Sequence, residues 1–196
     1  MSVNHHLDEK GLELEVERIK LLFEKSNYNL EEKKWFLEAK MISAQKDNDV
    51  FAVEACKRLI KELRLDKITK VVAALIEKDG KYLIAKRNHG NADTVNKWEF
   101  PGGKVEIGES EEEAIEREIR EEFEMEVKAI KFVNNCIWEY PERIIDLRLY
   151  ECKYIAGDFH LHDHSEYRYV EKKDFLSYTM CPADIPLAKY VKESQL

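Results

Sequence analysis

The sequence has few of the residues that interrupt regular structure or cross-link a chain. Its 196 residues include 7 glycines, 4 prolines and 4 cysteines. The cysteines lie far apart and form no C-x-x-C pair; they are Cys56, Cys136, Cys152 and Cys181. We therefore expect the reduced thiols of a cytoplasmic protein, rather than a disulfide framework or a zinc site.

Long apolar segments and an excess of positive charge are also missing. No apolar run approaches the ~20 residues of a membrane span, and the N-terminus lacks the apolar core of a signal peptide. Charged residues make up 37% of the chain, and the formal net charge is −8. These features predict no membrane partner and argue against binding to a nucleic acid polymer. The length allows one medium domain or two small ones.

The N-terminal third contains almost no helix-breaking residue. Residues 1–79 include one glycine and no proline, which favours long helices. Three helical stripes are predicted: Leu12, Val16, Ile19 and Phe23; then Phe36 and Ala39 after a capping pair at Asn29 and Glu32; then Ala52, Cys56, Leu59 and Leu63 after Asn48. We interpret residues 1–66 as a helical hairpin or three-helix bundle. Packing on another domain or forming a homodimer is favoured over a dedicated binding role.

The pattern changes to strands from Lys70 onward. Strands are predicted at 71–76, 82–85, 98–100, 127–138, 144–154 and 167–170, with a hairpin turn at Asp79-Gly80 and helical segments at 172–176 and 185–193. The polar segment 88–96 is expected to form a loop over the mouth of a site. Residues 67–196 are therefore predicted to form an α/β sandwich domain.

An acidic helix is predicted between these strands. Ser110 and Glu113 form a capping box that starts it, and Glu118, Glu121 and Glu122 fall on one face. Like charges at this spacing destabilise a helix by roughly 0.2–0.5 kcal/mol per pair. From Glu109 to Glu126 there are ten glutamates and two arginines. A solvated acidic helix is the ordinary interpretation, whereas clustered carboxylates also suit Mg²⁺ or Mn²⁺.

The full spacing decides between these interpretations. Gly103 is followed by five residues, Glu109, seven residues, and then Arg117-Glu118-Ile119-Arg120-Glu121-Glu122. This pattern resembles the Nudix box at every fixed position except the last, where Glu124 replaces a glycine. That glycine ends the helix in a left-handed turn, so we expect backbone strain at Glu124.

The resemblance implies a fold, a cofactor and a site. The fold is a Nudix-type α/β/α sandwich with a mixed sheet, and the cofactor is Mg²⁺ or Mn²⁺. The implied metal ligands are Glu118, Glu121, Glu122 and the Gly103 carbonyl. Arg117 would orient the carboxylates, and Glu109 would support the loop. For the general base or a further ligand, Asp163 is the candidate, followed by Glu166.

Two further segments resemble the MutT-like branch of the family: Trp98–Lys104 and Cys181–Pro186. The candidate substrate-binding residues are Arg87, Glu99, Phe100, Gly102, Gly103 and Asp184. Asp184 would accept a hydrogen bond from a base, or would cap the last helix, or both. Phe100 and Tyr140 would line the base pocket, although aromatic residues at strand positions more often belong to a core.

Three alternating histidines, His160, His162 and His164, allow a transition-metal site. Exposed loop histidines, one of them near the substrate, are the favoured interpretation.

Three functions fit these patterns. The leading hypothesis is metal-dependent hydrolysis of an oxidised or modified nucleoside triphosphate, such as 8-oxo-dGTP or (d)CTP, to the monophosphate and pyrophosphate. Such an enzyme would cleanse the nucleotide pool and so support DNA repair. The second hypothesis is a Nudix hydrolase of ADP-ribose, a nucleotide sugar or a dinucleotide. The third is a non-catalytic nucleotide-binding module.

Overall fold

The computed structural model describes residues 8–106, 108–141, 143–157 and 160–195. Residues 1–7 of the predicted N-terminal region lie outside this description, as does Ile107 of the predicted motif segment. The chain divides into two compact units, Met1–Ile68 and Thr69–Leu196. Each is described by itself.

The first unit is helical, as predicted. It contains α1 (Glu9–Ser26), α2 (Leu30–Lys46), α3 (Val50–Glu62) and a short 3₁₀ helix (Leu65–Lys67). The predicted capping box opens α2: Asn29 Oδ1 accepts from the Glu32 N–H at 2.9 Å, and the Glu32 carboxylate accepts from the Asn29 N–H at 2.8 Å. These bonds satisfy N–H groups that have no partner inside the helix.

The three helices share one apolar core. Its buried members are Leu12, Val16, Ile19, Phe23, Leu37, Ala55, Cys56, Leu59 and Leu65. One prediction for α2 is wrong: Ala39 is exposed, and Leu37 faces the core in its place. The buried face of α2 continues through Ala44, seven residues after Leu37, which is two helical turns.

The second unit contains the mixed sheet that the sequence predicted. Its strands are β1 (Ile68–Lys78), β2 (Lys81–Arg87), β3 (Trp98–Glu99), β4 (Met125–Glu139), β5 (Ile144–Gly157) and β6 (His164–Val170). Its helices are α4 (Glu111–Phe123), a 3₁₀ helix (Lys172–Ser177) and α5 (Asp184–Glu193). The strand order is β3-β2-β1-β5-β4, and β6 also pairs with β2.

The predicted turn between β1 and β2 is confirmed. Asp79 and Gly80 both have positive φ, 54° and 74°, which suits a two-residue hairpin loop. Several strands extend beyond their predicted ends. β4 begins at Met125 and β6 at His164. Ladder pairing with a neighbouring strand sets these ends, and a single segment of sequence does not reveal it.

Helices cover both faces of this sheet. The side chains of β1 alternate, so that Val72, Ala74 and Ile76 pack with α4, whereas Ala73 and Leu75 pack with α5. On the α4 side the contacting helix residues are Ile115, Ile119 and Phe123; on the α5 side they are Leu187, Ala188 and Val191. This arrangement confirms the predicted α/β/α sandwich.

A glycine turn joins β3 to the segment before α4. The Ala74 N–H donates to the Pro101 carbonyl at 2.8 Å, and the Val72 N–H donates to the Gly103 carbonyl at 2.9 Å. Gly102 has φ 152°, and a Cβ at this position would collide with the backbone of Val72 and Ala73. Only glycine lets the turn approach β1 this closely.

In the described part of the chain, no helix is both long enough and apolar enough to span a bilayer.

Candidate active site

Local rules fix the start and the end of α4. Ser110 Oγ accepts from the Glu113 N–H at 3.2 Å, and the Glu113 carboxylate accepts from the Ser110 N–H at 2.8 Å. The helix ends at Glu124, which has φ 55° and ψ 28°. This is the left-handed conformation that the sequence predicted for the position, and a residue other than glycine adopts it at a cost. Between these ends, three glutamates of α4, Glu118, Glu121 and Glu122, line a cleft.

Arg117 lies at the centre of the acidic residues. Its guanidinium donates to Glu109 at 2.6 and 3.0 Å, to Glu118 at 2.9 Å and to Glu121 at 3.3 Å. It also donates to the Lys104 carbonyl at 3.0 Å. Hydrogen bonds from Arg117, and then one from the backbone N–H of Glu106, lower the pKa of Glu109. One arginine therefore ties the loop before the helix to two of the helix carboxylates.

Glu118 lies directly against the glycine turn. A Cβ on Gly103 would occupy the position of the Glu118 carboxylate. Burial raises the pKa of Glu118, and the hydrogen bond from Arg117 opposes this rise. Glycine at position 103 thus leaves the space that this carboxylate fills.

Glu122 is the most deeply buried of the three helix carboxylates. Burial, and then the charges of Glu99, Glu118 and Asp163, raise its pKa to about 9. Its Oε2 atom is buried and has no hydrogen-bond partner within the described residues. Such an atom is costly unless a donor or a cation satisfies it. A divalent cation fits this site, because it would supply positive charge to an oxygen that has no partner.

All of the predicted site residues except Asp163 line one cleft of about 390 Å³. Gly103, Arg117, Glu118, Glu121 and Glu122 line one part of it. The Glu121 side chain is 61% exposed, in contrast to Glu122. Among the residues that the structure describes, the three helix carboxylates do not form a group whose ligand atoms all lie within 4.8 Å.

The predicted substrate-binding residues line the rest of the cleft. Arg87 Nη1 donates to both oxygens of Glu99, at 2.8 and 2.9 Å. Glu99 and Asp184 lie beside Cys181, with one ligand atom from each side chain within 4.8 Å of the others. Burial, and then the Asp184 and Glu99 carboxylates, raise the pKa of the Cys181 thiol. This part of the cleft therefore collects hydrogen-bond acceptors around an uncharged thiol.

Asp184 does not cap the last helix, and that part of its prediction is wrong. It is the first residue of α5; Ala183 precedes it, and no side chain makes a capping hydrogen bond there. Its Oδ1 instead accepts from the Phe100 N–H at 2.9 Å. The bond joins residues that are 84 positions apart, so local sequence could not reveal it. Burial, and then the Glu99 charge, raise the pKa of Asp184 well above its usual value.

The two aromatic residues belong to the core, which is the ordinary interpretation, and they also border the cleft. Phe100 and Tyr140 are buried in the core on the α5 side of the sheet, and both also line the cleft. Burial raises the pKa of Tyr140 to about 12. An aromatic wall therefore adjoins the acceptors Glu99 and Asp184.

The histidine prediction is wrong for His164. His160 and His162 are exposed and lie near Glu124, with His162 Nε2 at 2.8 Å from its carboxylate. His164 is buried, because it begins β6 and pairs with Arg87 of β2. Its ring stacks on Phe123 with a centroid distance of 5.1 Å, and its Nε2 lies 2.9 Å from Glu99 Oε1.

The loop acids do not line the cleft. Asp163 is exposed, although its charge contributes to the raised pKa of Glu122. Glu166 accepts from Arg168 at 2.7 Å.

Sequence reasoning did not single out Thr94 or Cys181 as cleft residues. Thr94 is buried in the predicted polar loop and, like Cys181, lines the cleft. No local pattern marks Thr94, whereas Cys181 begins the segment Cys181–Pro186 that resembles the MutT-like branch.

Comparisons with known proteins agree with this geometry. A sequence model of the NUDIX domain matches residues 67–191. The CTP pyrophosphohydrolase of Escherichia coli (strain K12) is 40% identical over 121 residues, which are 62% of this chain and 89% of that protein. The 8-oxo-dGTP diphosphatase of the same organism is 32% identical over 77 residues, 39% of this chain and 60% of that protein.

Solved structures show the same similarity. The solution structure of the E. coli ORF135 protein has 38% identity and a TM-score of 0.57, covering 64% of this chain and 89% of that one. The crystal structure of a MutT protein from Methanosarcina mazei Go1 has 26% identity and a TM-score of 0.58, covering 66% and 96%. The resemblance that the motif predicted is confirmed: the chain belongs to the Nudix family.

Proposed function

We propose that this protein hydrolyses nucleoside triphosphates to the monophosphate and pyrophosphate with the help of a divalent cation. The observation that carries the proposal is the Glu122 carboxylate, with one buried oxygen that no described residue satisfies. It lies in a cleft whose other residues offer acceptors and an aromatic wall suited to a nucleobase. A phosphate chain and a base would therefore each meet matching chemistry.

Glu118, Glu121, Glu122 and the Gly103 carbonyl would hold the cation. The Gly103 carbonyl already accepts from the Val72 N–H, and a carbonyl oxygen has a second lone pair. Carboxylate and carbonyl oxygens suit Mg²⁺ or Mn²⁺. When bound, the cation would neutralise phosphate charge and activate a water.

Arg117 would keep Glu118 and Glu121 in place. Its Nη1 atom donates to both of these carboxylates, and its Nη2 atom donates to Glu109. A guanidinium that is fixed on two sides loses little further freedom when the site is occupied. Arg117 would thus support catalysis by keeping these two carboxylates oriented for the cation.

Asp163 is proposed as the general base. The charge of Asp163 contributes to the raised pKa of Glu122, so Asp163 lies near the acidic part of the cleft. Glu166 is the weaker candidate, because Arg168 already engages its carboxylate.

The substrate is proposed to be an oxidised or modified nucleoside triphosphate. Glu99 and Asp184 would accept from base N–H groups, Phe100 and Tyr140 would contact the ring, and the glycine turn would border the phosphates. Arg87 is proposed to lie near the phosphates while it holds Glu99. Two relatives are a CTP pyrophosphohydrolase and an 8-oxo-dGTP diphosphatase, and both bases carry amino groups that would suit these acceptors. The role would be nucleotide-pool sanitation in the cytoplasm, in support of DNA repair.

A substrate screen tests the proposal. Pyrophosphate release would be measured from CTP, dCTP, 5-substituted dCTP, 8-oxo-dGTP and the normal nucleotides, with Mg²⁺ and Mn²⁺ titrated separately. We expect release of pyrophosphate from at least one modified triphosphate or cytidine nucleotide, and none without the metal. Failure of every triphosphate together with turnover of ADP-ribose would refute the proposal.

The N-terminal helices are proposed to form a homodimer, with residues 1–66 and 67–196 as separate domains. The exposed face of α2 supports this proposal: Trp35 and Ile42 are seven residues apart and 71% and 54% exposed. Sedimentation equilibrium of the full chain and of its Trp35→Glu/Ile42→Glu variant tests it. A monomeric parent chain would refute it.

A further inference from the structure

His164 is a buried polar residue that the proposed chemistry does not use. It begins β6, and its side chain is 1% exposed. Its ring stacks on Phe123 with an interplanar angle of 23°. Nε2 lies 2.9 Å from Glu99 Oε1, whereas Nδ1 has no partner in the described part of the molecule.

These contacts determine which ring nitrogen carries the proton. A carboxylate held by a guanidinium can only accept, so Nε2 must donate. A proton on Nδ1 would be a buried donor without an acceptor, which is unfavourable. Nε2 therefore carries a proton that is directed at Glu99.

Glu99 is held from two neighbouring strands. Arg87 of β2 and His164 of β6 are paired in the ladder, and both donate to Oε1. Among the described residues, Oε2 accepts from Arg87 at 2.9 Å. The Cys181 thiol has a single proton, and its sulfur lies closer to the Thr94 carbonyl oxygen, at 3.7 Å, than to Oε2, at 3.9 Å. A carboxylate offers about four acceptor positions. Oε1 is thus occupied, and Oε2 retains capacity for a donor from the cleft.

We propose that His164 is a positioning residue for substrate recognition. It fixes Glu99 so that Oε2 faces the cleft and accepts from an N–H group of the nucleobase. This inference rests on the proposed function, because it assigns the base to the Glu99 part of the cleft. Without the His164 donor, Arg87 alone holds the carboxylate, which can then pivot about that contact.

Two substitutions separate the donor from the packing. His164→Phe keeps an aromatic ring against Phe123 and removes the donor. His164→Gln removes the ring and keeps an N–H donor at similar reach. We expect His164→Phe to raise KM for the preferred triphosphate roughly 10-fold, with kcat changed much less, because the base lies away from the reacting phosphate. We expect the KM of His164→Gln to lie close to that of the parent.

If His164 had a purely structural role, the KM of His164→Gln would exceed that of His164→Phe. The ring-preserving Phe variant would then resemble the parent protein, and the Gln variant would be the damaged one. Unchanged KM in His164→Phe, or an equal fall of kcat in both variants, would also overturn the proposal. The exposed His160→Gln is the matched control, and its KM should equal that of the parent.

A double-mutant cycle tests whether His164 acts through Glu99. In a Glu99→Gln background, His164→Phe should have little further effect on KM, because the carboxylate that it positions is gone. Additive effects would overturn the proposal.

Calorimetric binding of the nucleoside monophosphate separates this inference from the proposed function. If the parent chain hydrolyses no triphosphate, the proposed function fails, yet weaker monophosphate binding by His164→Phe than by His164→Gln would still support positioning. Equal monophosphate affinities in the two variants, or no binding to the parent chain, would refute it.

Discussion

The main-chain N–H of Phe100 donates a 2.9 Å hydrogen bond to the Asp184 carboxylate, which lies 84 residues later in the sequence. The bond joins the end of β3 to the first residue of α5. Asp184 is buried beside Glu99, and both burial and that charge raise its pKa. The raised pKa makes the Asp184 carboxyl group hard to ionise. Its hydrogen bond from Phe100 fixes the orientation of this group at the wall of the cleft.

Asp184→Asn should stabilise the protein at neutral pH. The native state binds the Asp184 proton more tightly than the unfolded state does, so this residue's contribution to stability falls as pH rises from the ordinary carboxyl range toward the raised native pKa. Asparagine keeps an acceptor for the Phe100 N–H and removes the charge. Urea unfolding at several pH values should show that the free energy of unfolding of the variant exceeds that of the parent near pH 7. This difference should shrink toward pH 4. Lower stability of the variant at pH 7 would contradict this account.

Glu124→Gly should also raise stability. Glu124 has φ 55°, and the left-handed conformation costs a residue with a Cβ about 1–2 kcal/mol. Part of this gain is lost to the flexibility of glycine in the unfolded chain, so we expect a net gain of about 0.5–1 kcal/mol. Thermal unfolding would measure it. Glu124→Ala is the control: it removes the same contact with His162 but keeps the strain, and an equal gain in both variants would rule out the backbone explanation.

Arg117→Lys should weaken metal binding while leaving the fold intact. Lysine keeps the charge but cannot bond Glu109, Glu118 and the Lys104 carbonyl at the same time, as the guanidinium does. Residues that orient metal ligands commonly contribute ~10–100-fold in affinity or activity. Calorimetric titration with Mn²⁺ should show that the affinity for the cation falls by a factor in this range. Parent-like affinity would mean that the carboxylates need no support from Arg117.

Glu122→Gln should lower kcat by about 100-fold or more, because the cation of the proposed site would lose a charged ligand and would then supply less transition-state stabilisation. The fold should persist, because Glu122 is buried as a carboxyl with a pKa of about 9 and a neutral amide suits that environment. Turnover and circular dichroism would be measured together. Glu112→Gln is the matched control, since Glu112 is exposed on the same helix and should leave kcat unchanged.

The sequence predicted those parts of the molecule that follow local rules. The Ser110 capping box, the carboxylate face of α4 and the left-handed Glu124 all follow from spacing within one segment. The sequence did not predict features that depend on distant partners. His164 is buried because β6 pairs with β2 from its first residue. Asp184 turns to Phe100 because β3 brings an N–H group to it. Neither partner is near in sequence.

The two glycines of the turn restrict what mutation can do to this enzyme. A methyl group at position 102 would strike the main chain of β1, and one at position 103 would displace the Glu118 carboxylate. Alanine at position 102 would push the turn off the sheet, and alanine at position 103 would move the Glu118 carboxylate. Under the proposed function, the first change would disturb the substrate side of the cleft and the second would disturb the cation site. Differences in substrate preference would then have to come from the other residues that line the cleft.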